Sequence, residues 1–181
     1  SSAASDVYKR QFDGFTQEFG SGHAETVCLN EAGRKAQGAT LYVTLEPCSH
    51  SGKTGPCVER IIESRISRVV IGMKDPDGQV CGEGIMSLQN AGVDVVVGVL
   101  EDLVAEQLAP YVHHRNTGRP YVILKIATTL DGKVAAPDGS SQWITGPEAR
   151  REGHKLRAYS DAICVGRGTV ISDNPKLTVR D

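Results

Sequence analysis

Three side chains in the first third of the chain have the types and spacing of a metal site: His23, Cys48 and Cys57, with Glu25 two residues after the histidine. A catalytic zinc takes three protein ligands of nitrogen or thiolate type and keeps its fourth tetrahedral position for a water, whose pKa falls to about 7. The chemistry then needs a proton carrier beside the metal that does not itself ligate. Glu25 stands where such a carrier is wanted. A closed structural site would call for a fourth ligand, and the only local candidate is His50, two residues after Cys48; that alternative leaves Glu25 without a role.

H-x-E followed by P-C and a second cysteine is the arrangement of the zinc deaminases, in which the glutamate shuttles protons. The generic pattern places two residues between the cysteines, whereas this chain places eight. The intervening course, P-C-S-H-x-G-x-T-x-P-C, is therefore a feature in its own right.

The elements that must position these residues follow from periodicity. Ala24, Val27, Cys28, Ala32 and Ala36 recur at helical spacing, with Gly38 placed to end the helix in a left-handed cap. His23 and Glu25 thus fall at a helix start. A strand over 41–45 comes next, then the metal loop, and Pro56 opens a helix over 57–64 with Val58, Ile61 and Ile62 on one face. Helix N-termini favour thiolate over thiol, so the placement predicts assisted ionisation of the cysteines. Strands over 68–73 and 93–100, a turn at Asp75-Pro76-Asp77-Gly78, and short helices over 85–90 and 101–108 complete an alternation of strand and helix. That alternation implies a mostly parallel sheet covered on both faces.

The segment 111–120 is polar and basic with Gly118 and Pro120 as breakers, and reads as a junction; its adjacent His113 and His114 lack a nearby carboxylate or cysteine and read as solvated. A second unit then begins, with a strand over 121–127, a turn at Leu130-Asp131-Gly132, a capping box at Thr145-Gly146-Pro147-Glu148, a helix to about Tyr159, and a strand over 161–166. The turn Gly166-Arg167-Gly168-Thr169 sits where an open α/β sheet often takes a phosphate, although Gly-x-Gly alone is also simply a tight turn. The first residues, Ser1 to Gln11, have no hydrophobic periodicity and are expected to lie outside the fold as a non-native tail. The expected organisation is a tail over 1–11, a metal-dependent unit over 12–112, a linker over 113–120 and the beginning of a second domain over 121–181.

Composition narrows the class. A net charge of -2 and an isoelectric point near 6.2 give no general attraction for a polyanion, which argues against a nucleic-acid partner. No apolar run approaches the length of a membrane span, and the reading is of a cytoplasmic protein with no membrane partner. Five cysteines without an export signal favour thiol or metal use over disulfides. Cys28 falls on an apolar helical face and Cys164 inside an apolar strand, and both read as small buried hydrophobes; Cys81 has no assigned role.

Taken together, H-A-E, T-L-E-P-C-S-H with its long loop, T-G-R-P, L-D-G-K, S-Q-W-I-T-G and D-N-P-x-L-T-V-R closely resemble the bifunctional deaminase/reductase family of riboflavin biosynthesis. The likeness covers nearly everything from Phe12 to Asp181. It implies an α/β chain: a cytidine-deaminase-like three-layer α/β/α domain followed by the start of a dihydrofolate-reductase-like α/β domain. It implies His23, Cys48 and Cys57 as zinc ligands, Glu25 as proton shuttle, and His50 and Lys53 in the loop lining a phosphorylated-pyrimidine pocket. In the reductase part it implies NADPH contacts from Ala127, Trp143, Thr169 and Asp173, and substrate contacts from Ser141, Arg157, Leu177 and Arg180. The partner implied is a small phosphorylated pyrimidine, and a homo-oligomer is compatible with it.

The implied reactions are hydrolytic deamination of 2,5-diamino-6-ribosylamino-4(3H)-pyrimidinone 5′-phosphate and NADPH-dependent reduction of the ribosyl chain to ribityl. A nucleoside or tRNA deaminase, a scaffold in which zinc only holds the fold, and an inactive fragment are the alternatives. Gly55 stands where the family usually has Pro. The family's opening helix and two strands, and the last two-thirds of its reductase domain, are expected to be absent.

Overall fold

Residues 2–5, 11–18, 20–50, 55–78 and 80–180 are described in a computed structural model of the chain, with backbone alone for 2–5. The chain divides into two units, Ser1–Tyr121 and Val122–Asp181.

The first unit is built on five strands, β1 (Ser2–Ser5), β2 (Gln11–Gly14), β3 (Thr40–Leu45), β4 (Arg68–Met73) and β5 (Asp94–Val97), in the order β2-β1-β3-β4-β5. β3, β4 and β5 run parallel, with Leu41 opposite Val69 and Val69 opposite Val95. β1 is antiparallel to both of its neighbours. Five helices accompany the strands: α1 (Ala24–Ala32), continued by a 3-10 turn over Gly33–Ala36, α2 (Cys57–Glu63), α3 (Glu83–Asn90), α4 (Glu101–Gln107) and α5 (Ala109–Thr117).

Alternation along the central strands decides which face each helix covers. Leu41 and Val43 of β3, and Val69 and Ile71 of β4, point to one face and are buried there against Cys28, Leu29 and Ala32 of α1, Val58 and Ile61 of α2 and Leu88 of α3. The other face of β4 carries Gly72, where an added Cβ would lie 2.7 Å from Val104 Cγ2 of α4. Only glycine admits α4 that closely. Helices on both faces make the three layers, and the parallel strands end together at the edge where α1, α2 and α3 begin.

Three expectations need correction. Ser2–Ser5, anticipated as a tail outside the fold, supplies the ladder partner of both β2 and β3, so two strands do precede α1. Ladder bonds use backbone groups that every residue carries, and a serine- and alanine-rich segment has no apolar alternation by which to be noticed. The segment 111–120, read as a junction, is instead mostly helical: α5 runs from Ala109, with Pro110 in its first turn, to a left-handed Gly118. A proline costs nothing in a first turn, where its missing N–H would have no intrahelical acceptor. The strand expected over 93–100 is confined to Asp94–Val97, because Gly98 and Leu100 take positive φ and turn the chain into α4.

The second unit contains α6 (Pro147–Ala158) and α7 (Arg167–Asp173). Neither strand expected at 121–127 and 161–166 is formed among the described residues, and Val122 and Leu124 are about 80% exposed (82% and 79%). An apolar run sets a tendency to extend, but a strand exists only where a neighbour takes up its N–H and C=O groups. Gly146 rather than Thr145 is the N-cap of α6, with no side-chain cap bond, so the expected capping box is not made. The Thr145 carbonyl instead accepts from Arg150 Nη1 at 2.6 Å. Gly166 caps α7, so the predicted glycine turn is the start of a helix.

Candidate functional site

His23 is the N-cap of α1, Cys57 is the first residue of α2, and Cys48 lies three residues beyond the end of β3. All three therefore meet where the sheet edge faces helix N-termini. His23 Nδ1 lies 3.3 Å from Cys57 Sγ and 3.5 Å from Cys48 Sγ, and one ligand atom from each residue falls within 4.8 Å of the others. Zinc–sulfur bonds of about 2.3 Å and zinc–nitrogen bonds of about 2.0–2.1 Å give a tetrahedral N···S edge of roughly 3.6 Å. The donor set and both of these edges fit zinc. Nδ1, not Nε2, is the nitrogen turned toward the sulfurs.

Two further contacts hold the second ligand. The Cys57 N–H donates to Cys48 Sγ at 3.3 Å, and the Val58 N–H donates to the Cys48 carbonyl at 3.2 Å. Cys48 is drawn down to about 5, first by the hydrogen bond from the Cys57 thiol, with the Cys57 N–H and His23 adding to it. The same bond, with burial, pushes Cys57 up. Without metal the pair thus shares one proton, held on Cys57. The expected assistance from a helix terminus is visible at Cys48, whose sulfur accepts the Cys57 N–H at the start of α2. Metal binding to both sulfurs releases the remaining proton.

Glu25, in the first turn of α1, is outside the ligand cluster. Its carboxyl is raised above the ordinary range, chiefly by burial and further by the charge of Cys48, while its backbone hydrogen bond and His23 oppose the rise. A carboxyl pushed upward beside a candidate metal site is suited to holding and passing a proton. His50 is exposed at the loop's start, and Lys53 lies outside the described residues.

In the second unit, Ala127, Ser141, Trp143, Arg157, Leu177 and Arg180 line one cavity of about 770 Å³. Arg150 also lines it and stacks over the Trp143 ring at 4.2 Å, and the Arg180 N–H donates to His154 Nδ1 at 3.2 Å. Thr169 and Asp173 are on α7 and are not among the residues lining this cavity.

Residues 5–73 match the family model of the cytidine and deoxycytidylate deaminase zinc-binding region, and residues 120–181 match that of the RibD C-terminal domain. Over 167 residues the chain is 49% identical to the riboflavin biosynthesis protein RibD of Aquifex aeolicus, covering 92% of this chain and 47% of the relative. This chain belongs to the RibD family. The RibD of Escherichia coli is 47% identical over 168 residues, covering 93% of this chain and 46% of that protein. Among solved structures, the Thermotoga maritima diaminohydroxyphosphoribosylaminopyrimidine deaminase/5-amino-6-(5-phosphoribosylamino)uracil reductase superposes with a TM-score of 0.92 at 43% identity, covering 99% of this chain and 52% of that one. The chain spans about half the length of the curated RibD relatives it matches.

The RibD relationship gives the fold class plainly: a cytidine-deaminase-like α/β/α unit followed by residues of the dihydrofolate-reductase-like RibD C-terminal domain. Among the described residues no helix is long and apolar enough to cross a membrane. Gly55, the departure from the RibD loop pattern, is exposed, and an added Cβ there would meet nothing within 4 Å. One residue that spacing left without a role is Glu46. It is 3% exposed and its carboxylate accepts from the N–H groups of Asp75, Gly82, Gly84 and Ile85. The available signal was an acidic residue joined directly to an apolar strand and to the Pro-Cys of the metal loop.

Proposed function

We propose that the first unit performs the deaminase step of riboflavin biosynthesis, hydrolysing 2,5-diamino-6-ribosylamino-4(3H)-pyrimidinone 5′-phosphate to the corresponding uracil derivative and ammonia. The convergence of His23 Nδ1, Cys48 Sγ and Cys57 Sγ at tetrahedral spacing, with Glu25 outside that cluster, carries the reading. Zinc bound by these three residues supplies the Lewis acidity that makes water a nucleophile near neutral pH. Glu25 takes the proton released as oxygen bonds to the amine-bearing ring carbon, and gives it to the nitrogen as the carbon–nitrogen bond breaks. His50 and Lys53 belong to the loop that meets the substrate.

The second unit contributes to the NADPH-dependent reduction of the ribosyl chain. NADPH supplies the hydride. Ala127 and Trp143 contact the cofactor, joined by Thr169 and Asp173 of α7, while Ser141, Arg157, Leu177 and Arg180 contact the substrate. Support comes from six of these eight residues lining a single cavity, and arginines there suit a phosphate.

The deciding assay supplies the zinc-loaded chain with the diaminopyrimidine phosphate, cytidine or deoxycytidylate, and follows ammonia. Release from the diaminopyrimidine alone is the expected result. Release from cytidine or deoxycytidylate instead would replace the substrate assignment, and a zinc-loaded chain that releases none overturns the reading.

A further inference from the structure

Glu46 follows β3 directly and extends its parallel register by one residue, its N–H donating to the Met73 carbonyl at 3.0 Å. Its side chain reaches across to the start of α3. Oε1 accepts from Gly82, Gly84 and Ile85 at 2.9, 3.0 and 3.3 Å, and Oε2 from Asp75 and Gly82 at 3.2 and 3.1 Å. Burying a carboxylate is costly unless donors surround it, and here four backbone N–H groups do so.

The sequence around the donors is cut to this arrangement. Gly82 is the N-cap of α3, has no side chain with which to cap it, and takes a φ of 92°. Gly84 sits so near the metal loop that an added Cβ would fall 2.1 Å from the Pro47 carbonyl oxygen. The first-turn N–H groups that a serine or aspartate N-cap would normally satisfy are therefore satisfied by Glu46, from a strand far away in sequence. The next residue, Pro47, is fully buried with its φ restricted by the ring, and the one after it is Cys48.

We infer that Glu46 is a positioning residue for the candidate metal site, acting through the Pro47–Cys48 turn: by clamping that turn to the α3 N-terminus it fixes where the Cys48 sulfur stands relative to His23 and Cys57. The inference rests on the metal reading given above. Groups that orient a metal's ligands commonly alter metal affinity or activity by roughly ten- to a hundredfold when replaced. Gln is the informative substitution, because in either orientation its amide NH2 confronts backbone N–H donors where an oxygen had accepted.

The test measures zinc release from the full chain to excess chelator, and the cobalt(II) absorption of the substituted protein, for the parent, Glu46→Gln, Gly84→Ala and Val93→Ala. Val93 is a core residue just ahead of β5, at the opposite strand ends from the cysteines, and its truncation controls for lost stability alone. Glu46→Gln is expected to release zinc at least about tenfold faster than the parent and to change the sulfur-to-cobalt bands, with Val93→Ala close to the parent in both. Gly84→Ala, which displaces the same turn from the other side, is expected to follow Glu46→Gln and decides the matter if that variant does not fold. Release from Glu46→Gln or Gly84→Ala no faster than from Val93→Ala overturns the inference while leaving the metal reading intact. A parent chain that takes up no zinc through His23, Cys48 and Cys57 overturns both.

Discussion

The Cys57 N–H points at Cys48 Sγ across 3.3 Å, so the first peptide of α2 is a donor to the sulfur of the preceding loop. With the Cys57 thiol as a second donor, this holds the metal-free Cys48 near 5, while Cys57 is pushed upward. A group with a depressed pKa is ionised above that value, so Cys48 is the reactive thiolate from about pH 6 upward. In metal-stripped chain, alkylation of Cys48 by iodoacetamide should reach its plateau rate by about pH 6, and Cys57 should lag at every pH up to 8. Added zinc should protect both. Peptide mapping by mass spectrometry reads the order, and modification of Cys57 first would contradict the shared-proton arrangement.

Glu25 is separable from the ligands by substitution. Replacing it with Gln leaves His23, Cys48 and Cys57 in place but removes the group that carries the proton. Glu25→Gln should retain its zinc by elemental analysis while turnover falls by about 10²- to 10⁴-fold. A variant that loses metal along with activity would instead make Glu25 a structural part of the site.

Gly14 controls the placement of α1. A Cβ there would lie 2.4 Å from the Ala24 carbonyl oxygen and 2.8 Å from the Cys28 nitrogen, both backbone atoms with no flexible side chain to yield. Gly14→Ala must therefore push α1 away from β2, and His23 and Glu25 move with it. We expect a loss of about 1–3 kcal/mol in urea unfolding and weaker zinc retention. Unchanged stability would mean that α1 can shift without cost.

How much of this was legible depended on whether a feature is written locally. His23, Glu25, Cys48 and Cys57 could be read because helix starts and a strand end translate spacing along the chain directly into proximity. β3 and β4 could be read because each is a short apolar run, and in the structure the alternate residues Leu41 and Val43, and Val69 and Ile71, are the ones buried. The role of Glu46 could not, since its donors stand 29 to 39 residues later and nothing near Glu46 announces them. β1 was invisible for a related reason, since its place in the sheet is set by backbone ladders to β2 and β3 that its sequence does not announce. The opposite failure occurred at 121–127 and 161–166, where apolar residues suggested strands but no ladder neighbour is present among the described residues. Local pattern specifies tendency, and partners specify structure.

Tyr111 of α5 offers a pH-dependent test of the packing behind the metal loop. Its hydroxyl donates to both oxygens of buried Asp75, at 2.9 and 3.1 Å, and the Asp75 N–H in turn donates to Glu46. Burial and the Asp75 carboxylate raise the phenol to about 12, with Arg115 opposing. Because the folded value lies above the unfolded one of about 10, the stabilisation is complete below pH 10 and is lost as pH rises through about 12. Tyr111→Phe should lower stability by about 1 kcal/mol at neutral pH, a modest figure because Tyr111 is only partly buried. The gap in melting temperature between parent and variant should hold constant up to pH 10 and narrow above it. In ultraviolet titration, the difference between the two proteins should show a phenol ionising near 12; a midpoint near 10 would mean that the Asp75 contact is not made in solution.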